Sequence, residues 1–307
     1  MIVALSAEDA ANIRHWSQFS DAKLDPRPLE DGRFAVPVTT LTDRRFAGAR
    51  RLIAKGATVA ESAVTFAATS DFRMSIDSKQ VYLSAAPTPH AFSAPGAGVY
   101  RFETRRNESG YAGDAANGNR RSELVAGIDA SDRYGAGETL WSSFAFVVGP
   151  QKGGLDAGGA LGLVHQWHSV DTGVSRAPVL GVSLDGGNLR IYTRSDATGT
   201  ATQNHYTAPR PPDGTVHRVV VAGTLGASGH LNVWLDGTQI VNVNTPIGYY
   251  NDDAGARDLA YPHVGLYQNN FDAPTVVFIT NWEWGTTDLS ARVASPRPVT
   301  APASGWV

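Results

Sequence analysis

Three short runs in this 307-residue chain combine side chains that bind carboxylates or move protons: Asn119-Arg-Arg-Ser-Glu123, Gln166-Trp-His168 and Tyr261-Pro-His-Val-Gly-Leu-Tyr-Gln-Asn269. In an extended strand successive side chains point to opposite faces. Asn119, Arg121 and Glu123 then share a face, Gln166 and His168 share one, and Tyr261, His263 and Tyr267 line a third, with Gly265 expected to leave a gap. Water-exposed sheet faces usually carry short or freely charged residues. Phenol, imidazole, amide and guanidinium groups gathered on one side suit a site that holds an anion and transfers protons beside it.

The elements that would position these residues are short strands. From about residue 70 the hydrophobic period is two, with candidate strands at 80–84, 98–105, 120–127, 139–148, 160–168, 178–184, 188–194, 216–223, 230–236, 238–243, 261–268 and 275–284. Asp236-Gly237 between Leu231–Leu235 and Thr238–Val243 is a hairpin signal, and Asp185-Gly-Gly187 and Gly226–Gly229 are further turns. A dozen strands without intervening helical pattern predict an all-β, antiparallel two-sheet β-sandwich of jelly-roll type, with a concave sheet able to cradle a linear polymer. Residues 66–290 are assigned to this domain, and Ala85 to Gly98, rich in Pro, Ala and Gly, reads as a loop within it or at its border. Residues 1–65 read as a short, partly helical N-terminal extension, with a helix start at Ser6–Asp9 and a second helical pattern from Thr42 to Gly56. Residues 291–307 read as a C-terminal tail.

Composition narrows the function. A net charge of −3 offers no field for nucleic acid or an anionic membrane, and neither is expected as a partner. With no cysteine, thiolate catalysis, disulfides and cysteine-bound zinc are excluded. Lysine occurs only at positions 23, 55, 79 and 152, so arginine supplies most of the positive charge. Arginine suits planar, bidentate carboxylate contacts, although GC-rich codon usage explains the same bias. No stretch approaches the roughly 20 apolar residues of a membrane span. The first residues lack the basic n-region and the apolar length of a signal peptide.

Arg121-Ser-Glu-Leu124, Gln166-Trp-His168 and the Tyr261–Asn269 run, in that order, resemble the motifs of jelly-roll polysaccharide lyases. The pattern is related to that of alginate lyases, while the spacing, the Trp141 strand and the Val233-Trp-Leu-Asp-Gly237 hairpin are closer to heparin-lyase-like and glucuronan-lyase-like families. The resemblance spans roughly residues 95–285 and implies β-elimination on a uronic-acid polysaccharide. In that reaction the C5 carboxylate is neutralised, the C5 proton is removed, and the C4–oxygen bond breaks to leave an unsaturated uronate end. It implies Arg121 and Gln166 as neutralisers of the carboxylate, with Glu123 orienting Arg121 or another residue. His168 and Tyr267 become base and acid, with Tyr261 able to share that role or stack on sugar. Asn119, Tyr261, His263, Gln268 and Asn269, with Asn117, are candidate substrate contacts. His263 stands where the alginate-lyase pattern has lysine, and Val125 where it often has a second arginine; both departures point away from alginate and toward a glucuronate-type polymer.

Bland readings stand beside these. An exposed Arg–Glu pair contributes little, a lone strand histidine is commonly structural, and Trp141, Trp234, Trp282 and Trp284 sit in apolar patterns that suit packing. Arg120 and His165 face away from their neighbours, Arg120 as a solvated residue, and Trp167 belongs in the core. No cofactor is required by this chemistry. Asp252 and Asp253 could hold a structural calcium ion, but two carboxylates are too few to argue a metal site. Tyr249 and Tyr250 are candidates for sugar stacking. A glycoside hydrolase would need two opposed carboxylates, and no strand shows that alternation. The alternative of another class is a non-catalytic carbohydrate- or receptor-binding β-sandwich module. The substrate class makes a secreted or periplasmic location the expectation.

Overall fold

The computed structural model describes residues 2–5, 27–28, 34–37 and 73–306, except 128, 171–175, 196–200, 250–258, 270 and 304. Both helical patterns expected before residue 65 lie outside the described residues. The chain divides into two compact units, residues 1–64 with 73–78, and residues 65–72 with 79–307. Strands β1 (Ile2–Leu5), β2 (Arg27–Pro28) and β3 (Phe34–Pro37) form a three-stranded antiparallel sheet in the first unit, ordered β1-β3-β2, and β4 (Arg73–Ile76) also belongs to that unit.

The second unit carries two antiparallel sheets. Its strands are β5 (Lys79–Ala85), β6 (Phe92–Gly96), β7 (Val99–Thr104), β8 (Asn119–Val125), β9 (Thr139–Lys152), β10 (Gly162–Ser169) and β11 (Leu180–Asp185). They continue with β12 (Asn188–Thr193), β13 (Gln203–Pro209), β14 (His217–Thr224), β15 (His230–Leu235), β16 (Thr238–Asn244), β17 (Ala260–Asn269) and β18 (Thr275–Gly285). One sheet includes the order β13-β12-β11-β10-β17-β8-β5; the other is β16-β15-β14-β9-β18-β7-β6. The expected two-sheet sandwich is present, with every expected strand from 80 to 284. Two further strands appear. The segment read as a loop contains β6, whose Phe92 packs 5.3 Å from Phe102 across its neighbour β7. The edge strand β13 is mostly polar and partly exposed, which hides it from a hydrophobic pattern.

Alternation places the apolar side of each sheet inward. Leu124 on β8, Trp167 on β10, Val182 on β11, Ile191 on β12, Val264 and Leu266 on β17 are buried from the first sheet. Phe102, Phe144, Phe146, Val221, Val233 and Ile279 are buried from the second. Trp167 Nε1 donates across this layer to Ser142 Oγ at 3.2 Å, so the indole is packed without an orphaned donor. Trp282 and Trp284 are buried and stacked at 4.1 Å, as their apolar pattern predicts. Trp141 and Trp234 are partly exposed and nearly parallel at 6.2 Å, both beside β14. In the tail, a short helix α2 (Ala291–Ala294) is followed by Trp306, which packs edge-on against Phe278 at 5.2 Å.

His165 faces this interior, as expected, and is fully buried. Its Nδ1 donates to the His263 carbonyl at 2.6 Å, while its Nε2 has no partner and the ring lies 4.8 Å from Phe144. Burial depresses its pKa to about 3, so the folded protein holds this ring neutral. A depressed histidine contributes stability that is fully present above the unfolded pKa, near 6.5, and lost as pH falls toward the folded value. Unfolding free energy should therefore drop on acidification below about pH 6.5, with this one residue contributing up to about 1.4 kcal/mol per pH unit. Denaturant unfolding of the wild type and His165→Gln between neutral and mildly acidic pH measures it. The variant should show the shallower pH slope; equal slopes would exclude His165 as the source.

Candidate active site

The outward side of the first sheet carries the polar set. In the antiparallel register Arg121 stands opposite Tyr267, Glu123 opposite Gly265, and Asn119 opposite Asn269. On the other flank of β17, Gln166 stands opposite His263 and His168 opposite Tyr261. Directly paired residues project to the same side, so three adjacent strands bring together Asn119, Arg121, Glu123, Gln166, His168, Tyr261, His263, Tyr267 and Asn269.

The strands do not run in perfect step. Between Leu163 and His165 the pairing shifts from Tyr267 to Val264, so β17 has one residue more than β10 there. Gly265 sits in this bulge with φ +138, a region closed to most other residues. A Cβ there would meet the Ser122 carbonyl oxygen at 2.3 Å and Phe102 Cδ1, on the interior side, at 3.0 Å. Glycine is needed for this close backbone approach.

Glu123 is the centre of the polar network and is 1% exposed. Gln166 Nε2 donates to its Oε1 at 2.5 Å, His263 Nδ1 lies 3.3 Å from Oε2, and Arg121 NH1 lies 3.7 Å from Oε2. Burial pushes this carboxyl upward, but His263, Arg121 and Gln166 together outweigh it and hold its pKa below the usual value. Glu123 thus contacts residues on all three strands.

Arg121 has a second partner that strand alternation does not reveal. Asp114, in the short helix α1 (Ala112–Ala116), accepts from Nε at 2.5 Å and from NH2 at 2.8 Å. Burial alone would lower the guanidinium pKa; Asp114 and Glu123 reverse that and raise it. Arg121 is thus always charged, but its charge is matched by two carboxylates. Its guanidinium also lies 5.0 Å from the Tyr267 ring.

Tyr267 and His168 have opposite electrostatic settings. Burial, then Asp114, pushes the Tyr267 phenol above its ordinary pKa, so it stays protonated at neutral pH. Its oxygen accepts from Asn119 Nδ2 at 2.7 Å, a donor placed to stabilise a phenolate. His168 is depressed to about 4 by burial and then by His263. Its Nδ1 donates to the Ser169 carbonyl at 2.8 Å, which assigns the lone pair to Nε2. The His168 ring stacks 5.6 Å from His263 and lies 5.9 Å from Tyr261. Burial raises the Tyr261 phenol as well. His263 is 2% exposed and its Nε2 has no partner.

Other expectations need correction. Gln268 is not on this face: it is 1% exposed and donates to Thr104 Oγ1 on the opposing sheet at 2.6 Å, so it spans the interior. Arg120 is buried rather than solvated, donating to the Asn119 carbonyl at 2.5 Å. Asn269 braces the sheet, its Oδ1 accepting from the Leu161 amide at 2.6 Å, and exposed Asn117 caps α1. Tyr249 is buried with its hydroxyl on the Ala177 carbonyl at 2.7 Å; Tyr250, Asp252 and Asp253 lie outside the described residues. One partner on the face escaped the motif reading. Tyr82 on β5 stands opposite Val125, which itself faces His263, and its phenol is raised by burial.

Two solved structures of one lyase share this architecture. The family 7 alginate lyase A1-II', as a double variant in complex with substrate (GGMG), superposes with a TM-score of 0.53 at 16% identity, covering 68% of this chain and 93% of its own. The structure of the same lyase at 1.0 Å gives 0.50 at 19% identity, over 65% and 84%. An endo-β-1,4-glucuronan lyase from the fungus Trichoderma reesei gives 0.48 at 16% identity, over 71% and 91%. No curated protein sequence matches the chain. The family model described as polysaccharide lyase matches residues 84–283, a span that holds β8, β10 and β17 whole, and on that match the chain belongs to the polysaccharide lyase family and is a polysaccharide lyase.

Proposed function

We propose that the substrate is a polysaccharide containing uronic acid, of glucuronate type, and that it is cleaved by β-elimination. The observation that carries this reading is the pair of proton-transfer groups displaced in opposite directions on one sheet face. His168 is neutral with a free Nε2 lone pair, and Tyr267 is a protonated phenol beside a hydrogen-bond donor. Two titratable groups pushed apart by their environments are what acid–base division of labour requires. His168 removes the C5 proton, Tyr267 protonates the C4 oxygen as its bond breaks, and Asn119 steadies the phenolate that remains.

The C5 carboxylate must be neutralised for its neighbouring proton to leave. Arg121 retains unused N–H groups at NH1, and Gln166 has a second amide hydrogen beyond the one given to Glu123. Because Asp114 and Glu123 already balance Arg121, neutralisation here rests on aimed donors more than on net positive charge. The reading of a glucuronate-type polymer rests on His263 and Val125 standing at positions where the alginate-lyase pattern has cations.

Ultraviolet absorbance of the protein mixed with a panel of uronic-acid polysaccharides tests the reaction, because the C4–C5 double bond formed is conjugated to the carboxylate. A rise on a glucuronate polymer is expected; silence on the whole panel would overturn the reaction, and a rise on alginate alone would overturn the substrate. Tyr267→Phe should lower kcat by about 10²–10⁴-fold, the usual worth of a positioned proton transfer, with polymer still bound. A sandwich that only binds sugar would register no such loss.

The pH profile has a definite sign. His168 acts as a base only when neutral, so kcat/KM should hold as pH falls through 6 and decline only toward pH about 4. The alkaline limb should lie above the ordinary tyrosine range, since Tyr267 acts while protonated and is shifted upward. An acid limb near the unperturbed histidine value of about 6.5 would remove His168 from the role of base.

A further inference from the structure

The same face continues past the acid–base groups, across β11 to β12. Gly181 on β11 stands opposite Gln166, and Tyr192 on β12 opposite Gly181. One row along, Leu163 opposite Tyr267 is followed by Ser183 and then Arg190. Arg190, Tyr192 and Arg194 alternate along β12 and its continuation, so all three project to the side that carries Tyr267 and Gln166. Gly181 makes room for the middle one: a Cβ there would meet Tyr192 Cζ at 2.4 Å, so the tyrosine ring lies over β11 toward Gln166.

The two arginines differ from Arg121 in one respect. Neither has a carboxylate partner among the described residues. Arg190 is exposed. Arg194 is half-buried, lies 4.6 Å over the Tyr192 ring, donates NH1 to the Pro178 carbonyl at 2.9 Å, and has a buried Nε with no partner. The nearby carboxylate of Asp185 is occupied, accepting from the Gly162 amide at 3.1 Å and from the Ser183 hydroxyl. A half-buried guanidinium without a counter-charge is costly unless a ligand supplies one. Among the described residues the electrostatics of the face are therefore divided: its centre holds two carboxylates on one arginine, and β12 holds two arginines with none.

We propose that Arg190 and Arg194, the latter propped on the buried ring of Tyr192, form a second carboxylate-reading subsite, which takes a non-reacting uronate of the polymer held at the acid–base groups. The proposal rests on the lyase reading above and adds a substrate preference to it. Two strand spacings separate Gln166 on β10 from β12, about 9–10 Å, so the sugar held by Arg190 and Arg194 is a different residue of the chain from the one being cleaved. A polymer with a carboxylate on consecutive sugars is held at both places. A polymer that alternates uronate with an uncharged hexosamine loses one of them.

The test compares KM and kcat of the full-length protein on a polyglucuronate and on an alternating uronate–N-acetylhexosamine polymer. Arg194→Gln should raise KM on the polyglucuronate by about tenfold, the worth of one charge-assisted hydrogen bond, and Arg190→Gln/Arg194→Gln by more. The loss should fall on KM rather than kcat and should be smaller on the alternating polymer. Arg194→Lys, which keeps the charge, should recover most of the affinity. If the double variant melts like the wild type and holds its KM on polyglucuronate within about twofold, the subsite is refuted. If the wild type turns over neither polymer, the lyase reading fails separately. Retardation of the protein in gels containing polyglucuronate or its carboxyl-reduced, neutral counterpart then decides the subsite. Retardation by the charged polymer alone, lost in the double variant, supports it; equal retardation of both proteins overturns it.

Discussion

The Glu123 carboxylate is the interaction on which the polar face depends. It is buried, and it takes contacts from β8, β10 and β17 through Arg121, Gln166 and His263. A buried charge stripped of one partner typically costs about 3–5 kcal/mol, so these contacts oblige the three strands to stay in one register. That register is also what aligns the reacting groups. A one-residue slip of β17 would send Tyr261, His263 and Tyr267 into the interior and bring Gln268 out. The hydrophobic core opposes the same slip, which would turn buried Val264 and Leu266 outward.

The bulge at Gly265 is the counterpart to that constraint. Register with β8 is continuous from His263 to Asn269, while register with β10 changes at the bulge. Only one side of β17 absorbs the extra residue. Gln166 and His168 thus keep step with His263 and Tyr261, while Tyr267 is carried onward to Arg121. His168 on β10 and Tyr267 on β17 consequently stand apart on this face, with the Glu123 network between them.

Strand positions and faces were legible in the chain because burial on one side enforces a period of two, and Arg121, Glu123, Gln166, His168 and Tyr267 follow it. Gln268 obeys the same rule: it is one residue out of phase with Tyr267, so alternation itself places it inside. Asp114 was not legible, since it reaches Arg121 from a short helix and no period links the two. Neither was the polar edge strand β13, where pairing without burial leaves no hydrophobic trace. Arg190 and Arg194 fall within the expected strand 188–194, but their meaning depends on which carboxylates stand nearby, and that is a property of the folded face.

The distribution of charge on this face constrains how a polyanion can be handled. Nucleophilic or metal-assisted strategies are not needed for elimination, but a carboxylate must come to rest beside Glu123 and Asp114. Net positive charge at that point would bind substrate and product alike. Balancing Arg121 internally keeps its donors aimed while reducing the attraction for any anion that fits less well. Binding strength then has to come from elsewhere, and the arginines of β12, which have no carboxylate partner among the described residues, are placed to supply it without altering the reacting groups. Separating attraction from chemistry in this way lets interactions with remote sugars hold the polymer while the donors at the centre favour the charge that develops during elimination.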